Sequence, residues 1–294
     1  LGPAGESRAR ALVVAWTDVH GKWENFAWRL SVTADRLINW LCVGPWMFAP
    51  LEGETRAAVM DTIGRQLRHL QFSGPEETDP VSRFRIAVAL CLGGAVTDDS
   101  RKILEQGLAM LEAECSAQIL PDGGHASRSP EALAEAMLDI QTVEELLLRL
   151  GLNAPSFLTK LQTRMAAMLS FFQQADGGIL PANGGGDSSN GIGQAAMRPH
   201  GAVNSKFSFA RLSAYQRIQA EGLTVYVDAG TGPERPNGAQ AHAGALALTV
   251  DDGPERLITS CGANADLEPI IRDAARRTAA HSVLSLNGED SAVF

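Results

Sequence analysis

The sequence is short of positive charge: 25 Lys and Arg stand against 34 Asp and Glu, a formal net of -9. A general nucleic-acid binder needs a net basic face to displace phosphate counterions, so that class is disfavoured. Long hydrophobic runs are missing as well. No apolar stretch reaches the roughly 18 residues that a bilayer-spanning helix requires, so no membrane span is expected. The N-terminus has neither a Met nor the charged-then-apolar layout of a signal peptide. Starting at Leu1, the chain is expected to be a piece of a longer one, in which case the missing signal says nothing about compartment. Cysteine is scarce: Cys42, Cys91, Cys115 and Cys261 lie far apart without a CxxC pair. They are expected to be small buried hydrophobes rather than disulfides or metal ligands. There is no phosphate loop ending in Lys-Ser/Thr, no GxSxG elbow and no HExxH. The run Gly184-Gly-Gly follows no strand, so nucleotide-dependent chemistry is disfavoured.

What is present is a globular composition, 45% hydrophobic and 20% charged. The 294 residues suggest two domains or one large core. Of the 29 glycines, 13 fall in residues 1–175 and 16 in the shorter remainder. All five Trp (Trp16, Trp23, Trp28, Trp40, Trp46) precede that change and both Tyr (Tyr215, Tyr226) follow it.

From about Arg8 to Phe172 the apolar residues recur at helical spacing, as in the stripe of Leu37, Ile38, Trp40 and Leu41. Further helices are expected over Thr55–Gln71, Ser82–Leu92, Arg101–Glu114, Pro130–Leu150 and Pro155–Gln174, separated by Gly, Pro and Asn breakers. Ser127 and Ser129 before Pro130 fit a capped helix start. A Gly-rich loop is expected over 176–204, with Asn183 to Gly191 too glycine-rich for a regular element. Short strands are then expected over Arg211–Gln219, Leu223–Val227, Ala245–Val250, Arg256–Cys261 and His281–Leu286. The pair flanking Asp251-Asp-Gly-Pro reads as a hairpin. The organisation predicted is a helical domain over 1–175, a linker over 176–204 and a β domain over 205–294, the last expected to be truncated.

Three histidines sit in suggestive places. His125 lies in a polar turn that leads into a helix N-terminus, where it and Arg128 could hold an acidic group; the alternative is a capped loop. His242 opens an apolar strand and could be a base, a metal ligand or a hydrogen-bonded surface residue. His281 follows Arg276 and Arg277, a pair that is either a solvated face or the local basic patch an anionic ligand needs.

Four segments together resemble the heparinase II/III-like family of polysaccharide lyases: Arg36-Leu-Ile-Asn-Trp-Leu, Leu120-Pro-Asp-Gly-Gly-His-Ala-Ser-Arg-Ser-Pro, Ala241-His-Ala-Gly-Ala-Leu-Ala-Leu and Arg277-Thr-Ala-Ala-His-Ser-Val-Leu. The resemblance implies an N-terminal (α/α) toroid of antiparallel helices followed by an antiparallel β-sandwich, here incomplete. It implies β-elimination on a uronate-containing, heparin-, heparan- or alginate-like polysaccharide, and a periplasmic or cell-envelope location. Such a site must neutralise a carboxylate, abstract the neighbouring proton and protonate the leaving oxygen, tasks suited to Arg, His and Tyr.

On this chain the implied catalytic set is His125, His242, Arg128 and Tyr215, with Tyr215 open to a packing role instead. Arg276, Arg277, His281 and Asn183 are the implied substrate-binding residues. The chain departs from the family pattern at several points. An Asn-His pair is replaced by Val81-Ser82, and a Tyr by Ala132. His-x-His-x-Asp reads Gln240-Ala-His242-Ala-Gly244, and a zinc-binding Asp is replaced by Ser260. Of the family's metal set His242 and His281 remain, and no cofactor is expected.

The expected partner is an acidic polysaccharide; oligomeric state is left open. A catalytically altered glycan-binding or envelope-assembly protein on the same fold is the second reading. A third is an α-toroid glycoside hydrolase, for which Asp122, Glu131 and Asp176 are available carboxylates without a pairing motif.

Overall fold

A computed structural model describes residues 2–294 apart from 98–100, 187–188, 202, 204, 206, 264–266 and 294. Ten α-helices are described: α1 Pro3–His20, α2 Leu30–Cys42, α3 Gly44–Phe48, α4 Gly53–Ser73, α5 Pro80–Val96, α6 Arg101–Gln118, α7 Pro130–Arg149, α8 Ser156–Phe172, α9 Ser189–Met197 and α10 Pro269–Ala275. The five strands are β1 Phe209–Ala210, β2 Tyr215–Ala220, β3 Leu223–Asp228, β4 Leu248–Asp252 and β5 Glu255–Ile258. They form one open antiparallel sheet in the order β1-β2-β3-β4-β5. Helices followed by an antiparallel sheet is the fold class the sequence predicts.

The chain divides into two compact units, one of residues 1–115 and 145–153, the other of 116–144 and 154–294. The division does not follow the change from helices to strands. In the first unit α2, α4 and α5 bury Ala34, Leu37, Ile63, Leu67, Leu70 and Ile86 completely or nearly so. Helix α5 starts as its residues dictate: Pro80 occupies the first turn and the Asp79 carboxylate accepts from the Ser82 N–H at 2.8 Å. Glycine sets the close packing beside it. A Cβ at Gly94 would lie 2.4 Å from the backbone N of Leu104, and one at Gly107 would lie 2.7 Å from the backbone N of Cys91.

In the second unit the sheet's inner face packs on aromatics at the end of α8. Phe172 meets Tyr215 edge-on at 5.1 Å between ring centroids, and Phe171 meets Tyr226 at 6.3 Å. The β2–β3 hairpin turns through Glu221-Gly222, both at positive φ (50° and 93°). That is the two-residue geometry compatible with strand twist, and Gly supplies it without strain. The β4–β5 hairpin turns through Gly253-Pro254 with Gly253 at φ 54°, as the sequence predicts.

One feature of the second unit is a repeat. Asp122-Gly-Gly follows α6 and Asp176-Gly-Gly follows α8, with Gly123 and Gly177 at φ 93° and 87°. In each, the Asp carboxylate accepts from the second glycine's N–H, at 3.2 Å and 2.8 Å. Each Asp also grips the strand region. Asp122 accepts from the N–H groups of Leu212 and Ser213 and from the Ser213 hydroxyl, while Asp176 pairs with Arg256.

Several expectations need correction. His281–Leu286 is not a strand; it follows a short helical turn at Thr278–Ala280, and its one ladder contact is an isolated bridge from Leu286 to Glu289. The 176–204 segment is not all loop. It holds α9, in which Gly193 lets the helix approach Ile179, where a Cβ would meet Cγ2 at 2.7 Å. Residues 211–214 form a turn before β2 rather than its first half. Cys91 and Cys115 are buried, but Cys42 and Cys261 are exposed. The described residues supply one open antiparallel sheet of the expected, incomplete β domain.

Replacing Gly94 by Ala tests the close packing. Helix propensity alone would favour Ala by about 1 kcal/mol, yet the Cβ meets backbone that cannot rotate away. The expected outcome is a net loss of roughly 1–3 kcal/mol, read from the urea midpoint.

Candidate functional site

The loop before α7 is organised by its own side chains. The His125 Nδ1 accepts from the Ser127 N–H at 3.1 Å and lies 2.7 Å from the Ser127 hydroxyl. Ser129 Oγ accepts from the Ala132 N–H at 3.2 Å, so it caps the helix. Arg128 stands between them at φ 60°, a left-handed conformation that a residue with a Cβ adopts at a cost.

That conformation goes with an inward-pointing Arg128 side chain within the second unit, where the residue is 7% exposed. Its Nε donates to the Ser213 carbonyl at 3.0 Å, Nη1 to Thr231 O at 2.7 Å and Nη2 to Ala214 O at 3.3 Å. Nη2 also pairs with the Asp228 carboxylate, and the guanidinium lies over the Tyr215 ring, 4.8 Å from its centroid. The cation is thus engaged by protein acceptors throughout its fork.

Tyr215 is held in the same web. Its hydroxyl donates to the Arg128 carbonyl at 2.9 Å and accepts from Asn183 Nδ2 at 2.7 Å. Burial, reinforced by Asp228, pushes the phenol far above its ordinary value. Asn183, at φ 47°, uses its oxygen to accept from the His242 N–H at 3.1 Å.

His242 Nε2 accepts from the Gly184 N–H at 3.0 Å, which places the proton of the neutral ring on Nδ1. Its ring stacks with that of His281, centroids 5.1 Å apart. His242 Nδ1 and His281 Nε2 are buried without a hydrogen-bond partner. Both border a small cavity of about 20 Å³, together with Asn183, Tyr215, Asp228 and Ser260. That is room for about one water. Burial lowers both imidazoles, His242 to about 3 with help from His281 and Arg276; burial alone takes His125 to about 4.

The remaining candidates lie elsewhere. Arg277 is exposed and paired with Asp273 and Asp290, at 3.1 and 2.9 Å. Arg276 donates from Nε to the Ala241 carbonyl at 2.8 Å and lines a different cleft, which His242 also borders. Of the predicted residues, then, Asn183, Tyr215, His242 and His281 come together around one cavity. Arg128 touches that group from behind through Tyr215 and Asp228. His125 and Arg277 do not border it. Asp228 is the member that sequence reasoning missed; its only signal was a carboxylate closing an apolar alternation.

The zinc implied by the family pattern does not fit these residues. Two imidazoles face the cavity, the third position is a Ser260 hydroxyl, and no group of three His, Cys, Asp or Glu is assembled among the described residues. A protein zinc site normally has three or four such ligands. Gly244 stands where the pattern has a carboxylate, and a Cβ there would already lie 3.3 Å from the His281 ring.

A helical region leading into an antiparallel sheet is shared with solved structures of known proteins. Across 97% of its length the chain superposes on the crystal structure of heparinase III with a TM-score of 0.75, at 11% identity and covering 52% of that chain. A heparan sulfate lyase HepC mutant from Pedobacter heparinus matches 98% of this chain and 51% of its own, with a TM-score of 0.64 and 16% identity.

Residues 202–294 match the family described as Heparinase II/III-like, C-terminal. Over 266 residues, 89% of this chain, it is 30% identical to FtsZ-localized protein C of Caulobacter vibrioides (strain NA1000 / CB15N), covering 45% of that protein. The chain spans about half the length of the relatives it matches.

The buried histidines make stability depend on pH. In the unfolded chain each titrates near 6.5, so below that pH the unfolded state binds protons that the native state refuses. Stability is full above about 6.5 and falls toward pH 4 by about 1.4 kcal/mol per pH unit for each such histidine. Urea unfolding at pH 7, 6 and 5 should show that fall, with a slope one proton smaller in His242→Gln. An equal slope in that variant contradicts the assignment.

Proposed function

We propose that this chain belongs to a heparinase-fold protein that binds an acidic polysaccharide of the cell envelope without eliminating it. One observation carries this reading: the residues suited to elimination are committed to the fold. Arg128 would have to release a buried carboxylate and three carbonyls to receive a uronate, and Tyr215 would have to give up two hydrogen bonds to act as an acid. His125 is buried and held by Ser127. The departures at Ser82, Ala132 and Gly244 point the same way. The relative is named as FtsZ-localized and not as a lyase, which supports a role other than polysaccharide breakdown.

The structural neighbours named as heparinase III and heparan sulfate lyase support an acidic glycan as the ligand class. A cell-envelope location follows from that reading, and no helix among the described residues is long and apolar enough to cross a membrane.

The lyase reading is favoured by one feature, the neutral His242 and His281 beside Tyr215 and Asn183. Neutral imidazole is the form a base requires. Incubating the folded protein with heparin, heparan sulfate and alginate separates the two readings. Saturable binding is expected, with no growth of the near-ultraviolet absorbance of unsaturated products. Product accumulation that His242→Ala abolishes would establish the lyase reading instead.

A further inference from the structure

A second cleft in the same unit, of about 790 Å³, has His242 in its wall and is otherwise lined by residues such as Arg235, Arg276, Asp273, Pro233 and Ala241. Its size falls in the range of roughly 300–1,000 Å³ typical of small-molecule sites. Its walls are tied to one another. Arg276 Nε donates to Ala241 O at 2.8 Å, and the Ala243 N–H donates to Arg276 O at 2.8 Å. The hydroxyls of Thr278 and Ser291 both donate to Ala243 O, each at 2.9 Å. The turn carrying Arg235 is closed by the Asn237 N–H on Glu234 O and the Ala241 N–H on Gly238 O, both at 3.0 Å. The frame is therefore built before any ligand arrives, which lowers the ordering cost of binding.

The charge balance inside the cleft opposes that of the whole chain. Arg235 and Arg276 are cations, and His242 is neutral. The acid in the lining, Asp273, lies 3.1 Å from Arg277, which also pairs with Asp290, and its charge also acts on Arg276, so two cations stand against one acid in the lining. Apart from the charged groups and His242 the lining is Gly, Pro, Ala and Val293, with no Phe, Tyr or Trp. Guanidinium groups recognise planar and tetrahedral oxyanions, while small aliphatic walls suit the C–H surface of a compact frame.

We propose that this cleft binds a small ligand carrying one oxyanion, a carboxylate or a phosphate, on a frame about the size of a monosaccharide. The site shares His242 with the cavity that Tyr215 and His281 border.

Calorimetric titration of the folded chain with D-glucuronate, inorganic phosphate and D-glucose tests it. Saturable binding of glucuronate or phosphate is expected, weakening with added salt, with none for glucose. Preference for glucuronate identifies a carboxylate ligand and preference for phosphate a phosphate one. Arg235→Ala, at an exposed position, should weaken binding roughly tenfold, as expected for loss of a charge-assisted hydrogen bond, while the urea midpoint stays unchanged. Arg276→Gln should weaken it as well. The proposal is overturned if neither anion saturates, if glucose binds as tightly, or if Arg235→Ala leaves the affinity unaltered.

Discussion

The buried guanidinium of Arg128 is the constraint on which the second unit depends. It joins the loop before α7 to the turn ahead of β2, through Ser213 and Ala214, and to the end of β3, through Asp228. A buried cation is expensive unless its charge is matched and its donors are satisfied. Here the match comes from one carboxylate, three carbonyls and the face of Tyr215. Removing any part of that set leaves the rest desolvated and unpaired. The left-handed backbone at Arg128 belongs to the same arrangement, because it directs the side chain inward.

The web extends outward in a definite order. Tyr215 reads the Arg128 carbonyl with its hydroxyl and passes the contact to Asn183, and Asn183 holds the His242 backbone. His242 then holds Gly184. The residues most suggestive of acid, base and cation are consecutive links of one structural chain. A fold can keep such a constellation after the chemistry has gone, because each link also supports its neighbour. The net charge of -9 fits this view. Recognition of an anion by an acidic chain has to be local, and Arg235 and Arg276 are gathered in such a place.

Much of the architecture was legible because hydrophobic periodicity reports burial directly. The stripe on α2 and the alternation in β3 both appear where the pattern puts them. The failures have physical causes. His281–Leu286 has the composition of a strand, but backbone hydrogen bonds from His281 and Ala280 close a helical turn before it. Helix α9 begins inside the glycine-rich run of Asn183 to Gly191 that reads as loop, and Gly193 is what lets the helix approach Ile179. The site was half legible. The residue types and their order identified the loop of His125 and Arg128 and the pair of His242 and His281. Which way Arg128 points depends on a positive φ that no side-chain pattern announces, and Asp228 becomes its partner only through the β2–β3 register.

The central claim is that Arg128 is a structural cation, and chemical unfolding of Arg128→Met tests it most directly. The account predicts a loss of about 3–5 kcal/mol, the usual cost of breaking a buried ion pair from one side, together with loss of cooperative unfolding in the unit that contains the sheet. Unchanged stability accompanied by lost binding to acidic polysaccharide would contradict it and return Arg128 to the ligand.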